Sequence, residues 1–119
     1  LNLKLLGEIK QKVKIPLVLH GASGVPQEIV LQANHYGAKF SAMRGVPNKQ
    51  LKKAVALGIC KVNEDTDLRL AFNLGVREYL KRNPREFDPR PMLNHAKEKI
   101  AETVKRRMNV LGSARKTQK

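Results

Sequence analysis

Two short polar stretches carry residue types that could do chemistry together. The first, His20-Gly21-Ala22-Ser23-Gly24, follows the apolar run Leu17-Val18-Leu19. A histidine can ligate a metal, glycines let a ligand approach the backbone closely, and a serine adds a hydroxyl, as a phosphate site needs. The second, Asn63-Glu64-Asp65-Thr66-Asp67, follows Ile59-Cys60-Lys61-Val62 and leads into apolar residues at helical spacing. Backbone N–H groups at such a helix start attract phosphate. Taken singly, His20 reads as a hydrogen-bonded core or rim residue, Gly-Ala-Ser-Gly as a turn and Asp-Thr-Asp as a helix cap, because all three are common. Their conjunction points elsewhere: a metal-ligand candidate beside a phosphate-type turn, with a second such loop one βα unit later, suits a phosphorylated substrate held against a metal.

Loops of this kind need strands behind them and helices in front. Residues 1 to 13 set Leu3, Leu6, Ile9 and Val13 at helical spacing, and Pro16 then starts a short buried strand over Leu17–Leu19. Pro26 stands where a helix begins, with Gln27 and Glu28 in its first turn. Gly37 to Gly45 reads as a polar loop. Pro47 opens a helix with Leu51, Ala54 and Val55 on one face, ending near Gly58, and Ile59 to Val62 form a second strand. N-cap candidates in Asn63 to Asp67 precede a helix striped by Leu68, Phe72, Val76, Tyr79 and Leu80. The tract Asn83 to Pro91 breaks it; Ile100, Val104, Met108 and Leu111 stripe the last helix, and Gly112 ends it. The tail 113–119 is expected to be mobile.

Short apolar strands alternating with helices predict a parallel α/β fold. Two parallel strands make no sheet that stands alone, because such strands need cover on both faces and neighbours on both edges. Read as the last two strands of a (β/α)8 TIM barrel, their carboxyl-end loops fall where barrels recurrently bind a substrate phosphate. The chain has 119 residues, against roughly 200 to 250 for a barrel, and it opens with Leu1 inside an amphipathic pattern. It is expected to be a segment of a longer protein.

Composition narrows the partners. A net charge of +14 raises nucleic acid as a partner, but aromatic residues are 4% of the chain and no stacking platform or Cys/His finger spacing is visible. Much of the charge reads as solvated helix face, with Glu102 and Arg106, or Glu8 and Lys12, spaced for i,i+4 pairs. A single cysteine, Cys60, makes no internal disulfide, reads as a small buried strand residue and fits a reducing, cytoplasmic setting. No membrane span or signal core is predicted. His35 and His95 read as surface or packing residues.

The two loops in order, Leu17 to Pro26 and Gly58 to Arg69, resemble class II fructose-bisphosphate aldolases closely. Phe87-Asp88-Pro89-Arg90 and the closing Arg107 to Ala114 are similar to the same family's C-terminal region, so the resemblance spans essentially the whole chain. It implies that His20 is one of three Zn2+ ligands, and that Gly21, Ala22 and Ser23 hold the phosphate of dihydroxyacetone phosphate. It implies further that Asn63, Glu64, Asp65 and Thr66 close that pocket, with a monovalent cation nearby, and that Arg90 meets the substrate's distal phosphate across a subunit boundary of a homo-oligomer. The remaining zinc ligands and the proton-transferring aspartate are expected in an N-terminal part of the barrel outside this chain. Within the resemblance, tagatose-bisphosphate aldolase is the alternative, toward which the Asp65-Thr66-Asp67 form leans less than toward fructose. A non-catalytic basic anion-binding module is the alternative of another class.

Overall fold

The computed structural model describes residues 1–116. Seven elements follow in the expected order: α1 (Leu3–Lys12), β1 (Leu17–Leu19), α2 (Gln27–His35), α3 (Asn48–Ala56), β2 (Ile59–Val62), α4 (Thr66–Arg82) and α5 (Pro89–Leu111). Local chemistry sets most of the boundaries. Asn2 caps α1 by accepting from the Leu5 N–H at 3.0 Å. Pro26 and Pro47 precede α2 and α3, and Gly58, at φ 102°, turns the chain from α3 into β2. Asp88 caps α5 with Pro89 in its first turn, and Gly112, at φ 73°, closes its carboxyl end. The Ser113 and Ala114 amides still donate to the Met108 carbonyl at 3.0 and 3.3 Å; of the tail expected to be mobile, residues 117–119 lie outside the described residues.

The chain is α/β, with a two-stranded parallel sheet in which Leu17 pairs Ile59, Val18 pairs Lys61 and Leu19 pairs Val62. The ladder continues past the strands. Asn63 N–H donates to the Leu19 carbonyl at 2.9 Å, and Ala22 N–H to the Asn63 carbonyl at 3.3 Å. The two carboxyl-end loops are thus bound to each other by their backbones before any side chain contributes.

The core lies beside the sheet, where α2 packs on α4 through Ile29, Val30, Ala33, Leu70 and Leu74, with Val25 and Ala38. The segment Gly37 to Gly45 has no regular structure, as expected, but it is less polar in use than its composition suggested. Ala38 is buried, Phe40 and Met43 pack on the core, and the Asn34 amide brackets Phe40 through its N–H at 2.9 Å and its carbonyl at 3.1 Å. Two other expectations are corrected. Cys60 is exposed, as is Lys61 on the opposite face, because a pair of strands leaves both faces of β2 partly open. Arg106 pairs with Glu28 of α2 and not with Glu102 one turn back.

The largest packing interface joins α4 to α5, and it uses the apolar stripes read from the sequence only in part: Leu68, Val76, Tyr79, Ile100 and Leu111 are half-buried, with Tyr79 against His95. Phe72, Leu80, Val104 and Met108 are exposed, while the buried positions are Ala71, Leu74, Gly75 and Glu78 on α4 and Ala96, Thr103 and Arg107 on α5. Small residues win here because the helices approach closely: a Cβ on Gly75 would come within 2.6 Å of the Ala96 Cα. Glu78 closes this seam, with His95 and Lys99 each 3.1 Å away and Arg82 at 2.5 Å. Burial alone would raise the Glu78 carboxyl, but hydrogen bonds from His95 and Lys99 and the charges of Lys99 and Arg82 bring it below its ordinary value. A depressed carboxyl contributes stability above its unfolded value and loses it as pH falls through the folded one, so this latch weakens in acid. His35, by contrast, is exposed and stacks edge-on against Tyr36.

Candidate functional site

The two polar loops line one cleft of about 580 Å³ at the carboxyl ends of β1 and β2, with Gly21 and Ser23 from the first and Asn63 to Thr66 from the second. Gly21 takes φ 59°, a left-handed turn that suits glycine, directly after His20. The pairing of the loops runs through Ser23. Its Oγ accepts from the Asp65 N–H at 3.2 Å and the Thr66 N–H at 3.1 Å, so it caps α4 from the other loop. Of the N-cap candidates in Asn63 to Asp67, Asp65 holds the N-cap position, but its side chain makes no cap bond. Arg69, one turn on, draws the Asp65 carboxylate into an ion pair at 2.7 Å. With both lone pairs of Ser23 Oγ engaged by a helix start, its own proton remains to be donated outward.

Behind the cleft stands a buried charged cluster that sequence reading missed. Asp67, fully buried in the first turn of α4, accepts from Gly24 N–H at 3.1 Å and Val25 N–H at 2.7 Å. Val25 sits at φ 45°, a conformation a β-branched residue rarely adopts, and these bonds hold it there. Arg107, near the end of α5, forms a two-pronged pair with Glu64, reaches Asn48 Oδ1 at 2.7 Å and lies 3.6 Å from Asp67. The Glu64 side chain is therefore mostly buried against Arg107, although Glu64 also lines the cleft. The signal available in sequence was faint: an acidic residue after the second loop and an arginine in the last helix look like cap and solvated face.

A third segment completes the wall. Arg44, Gly45 and Val46 line the cleft, stapled to the first loop by the Val46 N–H, which donates to the Ser23 carbonyl at 2.9 Å. A Cβ on Gly45 would lie 2.3 Å from the Gly24 carbonyl carbon, so this contact requires glycine.

His20 is exposed at the end of β1, with its Nδ1 at 3.0 Å from the Asn63 amide nitrogen. That contact ties the ring to Asn63 of the cleft wall, while His20 itself is not among the lining residues. Among the described residues no three His, Cys, Asp or Glu side chains gather to hold a metal. Arg90 stays apart from the cleft. It lies at the start of α5, largely exposed, with its guanidinium doubly bound to Asp88 at 2.6 to 3.0 Å. Each partner holds the other charged: Asp88 is drawn below, and Arg90 above, its ordinary value by that hydrogen-bonded pair.

These features define an α/β chain with a polar cleft at the carboxyl ends of parallel strands. The chain belongs to the class II fructose-bisphosphate aldolase family, whose sequence model, Fructose-bisphosphate aldolase class-II, matches residues 1–116. It is 51% identical over 108 residues to a fructose-bisphosphate aldolase of Thermus caldophilus, an overlap covering 91% of this chain and 35% of that protein. It is 40% identical over 116 residues to the fructose-bisphosphate aldolase of Treponema pallidum, covering 96% of this chain and 35% of that one. The Helicobacter pylori (strain J99) enzyme of the same name is also 40% identical, over 98% of this chain and 38% of its own length. The chain thus spans little more than a third of the length of these three relatives. No helix among the described residues is long and apolar enough to cross a membrane.

Proposed function

We propose that residues 1–119 are the C-terminal segment of a single TIM-barrel domain, contributing its last two strands and closing helices to a class II aldolase. The complete protein would reversibly cleave fructose 1,6-bisphosphate to dihydroxyacetone phosphate and glyceraldehyde 3-phosphate. Supporting this are the family membership, the overlap confined to about a third of each of these three relatives, and apolar side chains such as Val18, Phe72 and Val104 that stay exposed when the segment stands alone. The N-terminal part of the barrel would cover the open strand edges and supply the other metal ligands and the proton-transferring aspartate. A cytoplasmic homo-oligomer is the setting that fits, with Arg90, held outward by Asp88, directed to a neighbouring subunit's substrate.

The observation that carries the reading is the single cleft formed by Gly21 to Ser23 and Asn63 to Thr66. In it, the Gly21 and Ser23 N–H groups, together with amides of the second loop that Ser23 Oγ does not engage, bind the phosphate, and the Ser23 hydroxyl, which caps α4, donates its proton to a phosphate oxygen. Zinc, with His20 as one ligand, supplies a Lewis acid for the substrate ketone when bound. Asn63 stands beside Nδ1 of His20; for Nε2 to ligate zinc, Nδ1 must carry the proton and meet the amide oxygen of Asn63, and the loops set the distance between phosphate and metal.

Ser23→Ala in the full-length protein tests this. It removes a donor to phosphate and uncaps α4, so phosphate affinity should fall about tenfold and stability by about 1 kcal/mol. Competition by inorganic phosphate against the sugar bisphosphate, with urea unfolding alongside, measures both. An unchanged affinity with reduced stability would leave Ser23 as a cap alone.

A further inference from the structure

We infer that Arg44 is a further phosphate ligand of this cleft, an inference that rests on the phosphate reading above and names a side chain beyond the two loops that carry it. Residue 44 is held in place from both sides. Gln27 Nε2 donates to the Met43 carbonyl at 2.8 Å, Val46 N–H donates to the Ser23 carbonyl at 2.9 Å, and Gly45 sits directly on the Gly24 backbone. The backbone that presents Arg44 is therefore anchored to the first loop itself, and not to a distant part of the fold.

The charges around the cleft leave this guanidinium free to meet an anion. The lining acids are already paired, Glu64 with Arg107 and Asp65 with Arg69. Arg44 is the cation among the lining residues; it is exposed, and no described carboxylate pairs with it. A planar fork of donors matches phosphate oxygens two at a time, which backbone amides and a single hydroxyl do not. The class of ligand selected is a phosphate monoester dianion, with the guanidinium offsetting charge that the amides carry only as partial dipoles.

The test uses the full-length, zinc-loaded protein and inorganic phosphate as probe, titrated calorimetrically at low and moderate salt. Arg44→Ala should weaken phosphate binding about tenfold to a hundredfold and flatten its salt dependence, with Arg44→Lys recovering part of the loss. The Michaelis constant for fructose 1,6-bisphosphate should rise in parallel, while the unfolding midpoint stays where it is. Equal affinity of wild type and Arg44→Ala, with Ser23→Ala still weakened, would overturn the assignment and leave the phosphate cleft standing. Weakened binding together with a lowered unfolding midpoint would also contradict it, since Arg44 would then be supporting the loop. A wild-type protein whose cleft takes no phosphate at all would overturn the cleft reading together with it.

Discussion

Replacing His20 by Ala in the full-length protein is expected to abolish metal-dependent cleavage, on the order of a thousandfold in turnover, and to lower bound zinc. His20 directly follows β1, is exposed, and has its ring 3.0 Å from the amide of Asn63, a residue of the cleft wall. Being outside the core, it can be truncated without opening a cavity, so the loss should appear in metal content and turnover while the unfolding curve of the metal-free protein hardly moves. Metal analysis of the dialysed variant, run beside the activity assay, separates these effects. Full zinc content with full turnover would remove His20 from the site.

A second large effect is expected at Asp67, and here it falls first on stability. The fully buried carboxylate accepts the Gly24 and Val25 amides and lies beside Arg107. Asp67→Ala leaves a buried and a half-buried N–H group unpaired, releases the left-handed Val25 turn and strips Arg107 of a neighbouring charge, a loss of about 3 kcal/mol or more. Phosphate affinity should fall with it, because the turn that Asp67 holds is the one that carries Ser23. Asp67→Asn, which keeps an acceptor oxygen, should lose less on both counts. Urea unfolding of the two variants decides the matter, and a change below about 0.5 kcal/mol for Asp67→Ala would contradict the bracing role.

Much of the frame was legible in the sequence because proline and glycine mark it. Pro26, Pro47 and Gly58 bound their helices in the structure as they do in the pattern, and the loops after the two strands meet in one cleft as their order implied. What escaped was pairing between distant residues. Nothing local in Arg107 says that its partner is Glu64, 43 positions earlier, and nothing in Ser23 says that it caps a helix in the other loop. The same limit held for the helix stripes. Periodicity marks Phe72 and Val104 as apolar, but the face that α4 and α5 share is chosen by Gly75 and Ala96, whose small size lets the backbones close. Arg44 escaped for a related reason, since a residue in a segment without periodicity has no readable direction until Gly45 and Val46 fix it on the first loop.

The central claim is that Gly21 to Ser23 and Asn63 to Thr66 form one phosphate cradle. It is tested most directly by the crystal structure of the full-length protein with dihydroxyacetone phosphate. Phosphate oxygens should lie within about 2.7–3.2 Å of backbone nitrogens from both loops and of the Ser23 hydroxyl. A phosphate bound elsewhere, with both loops untouched by ligand, would contradict it.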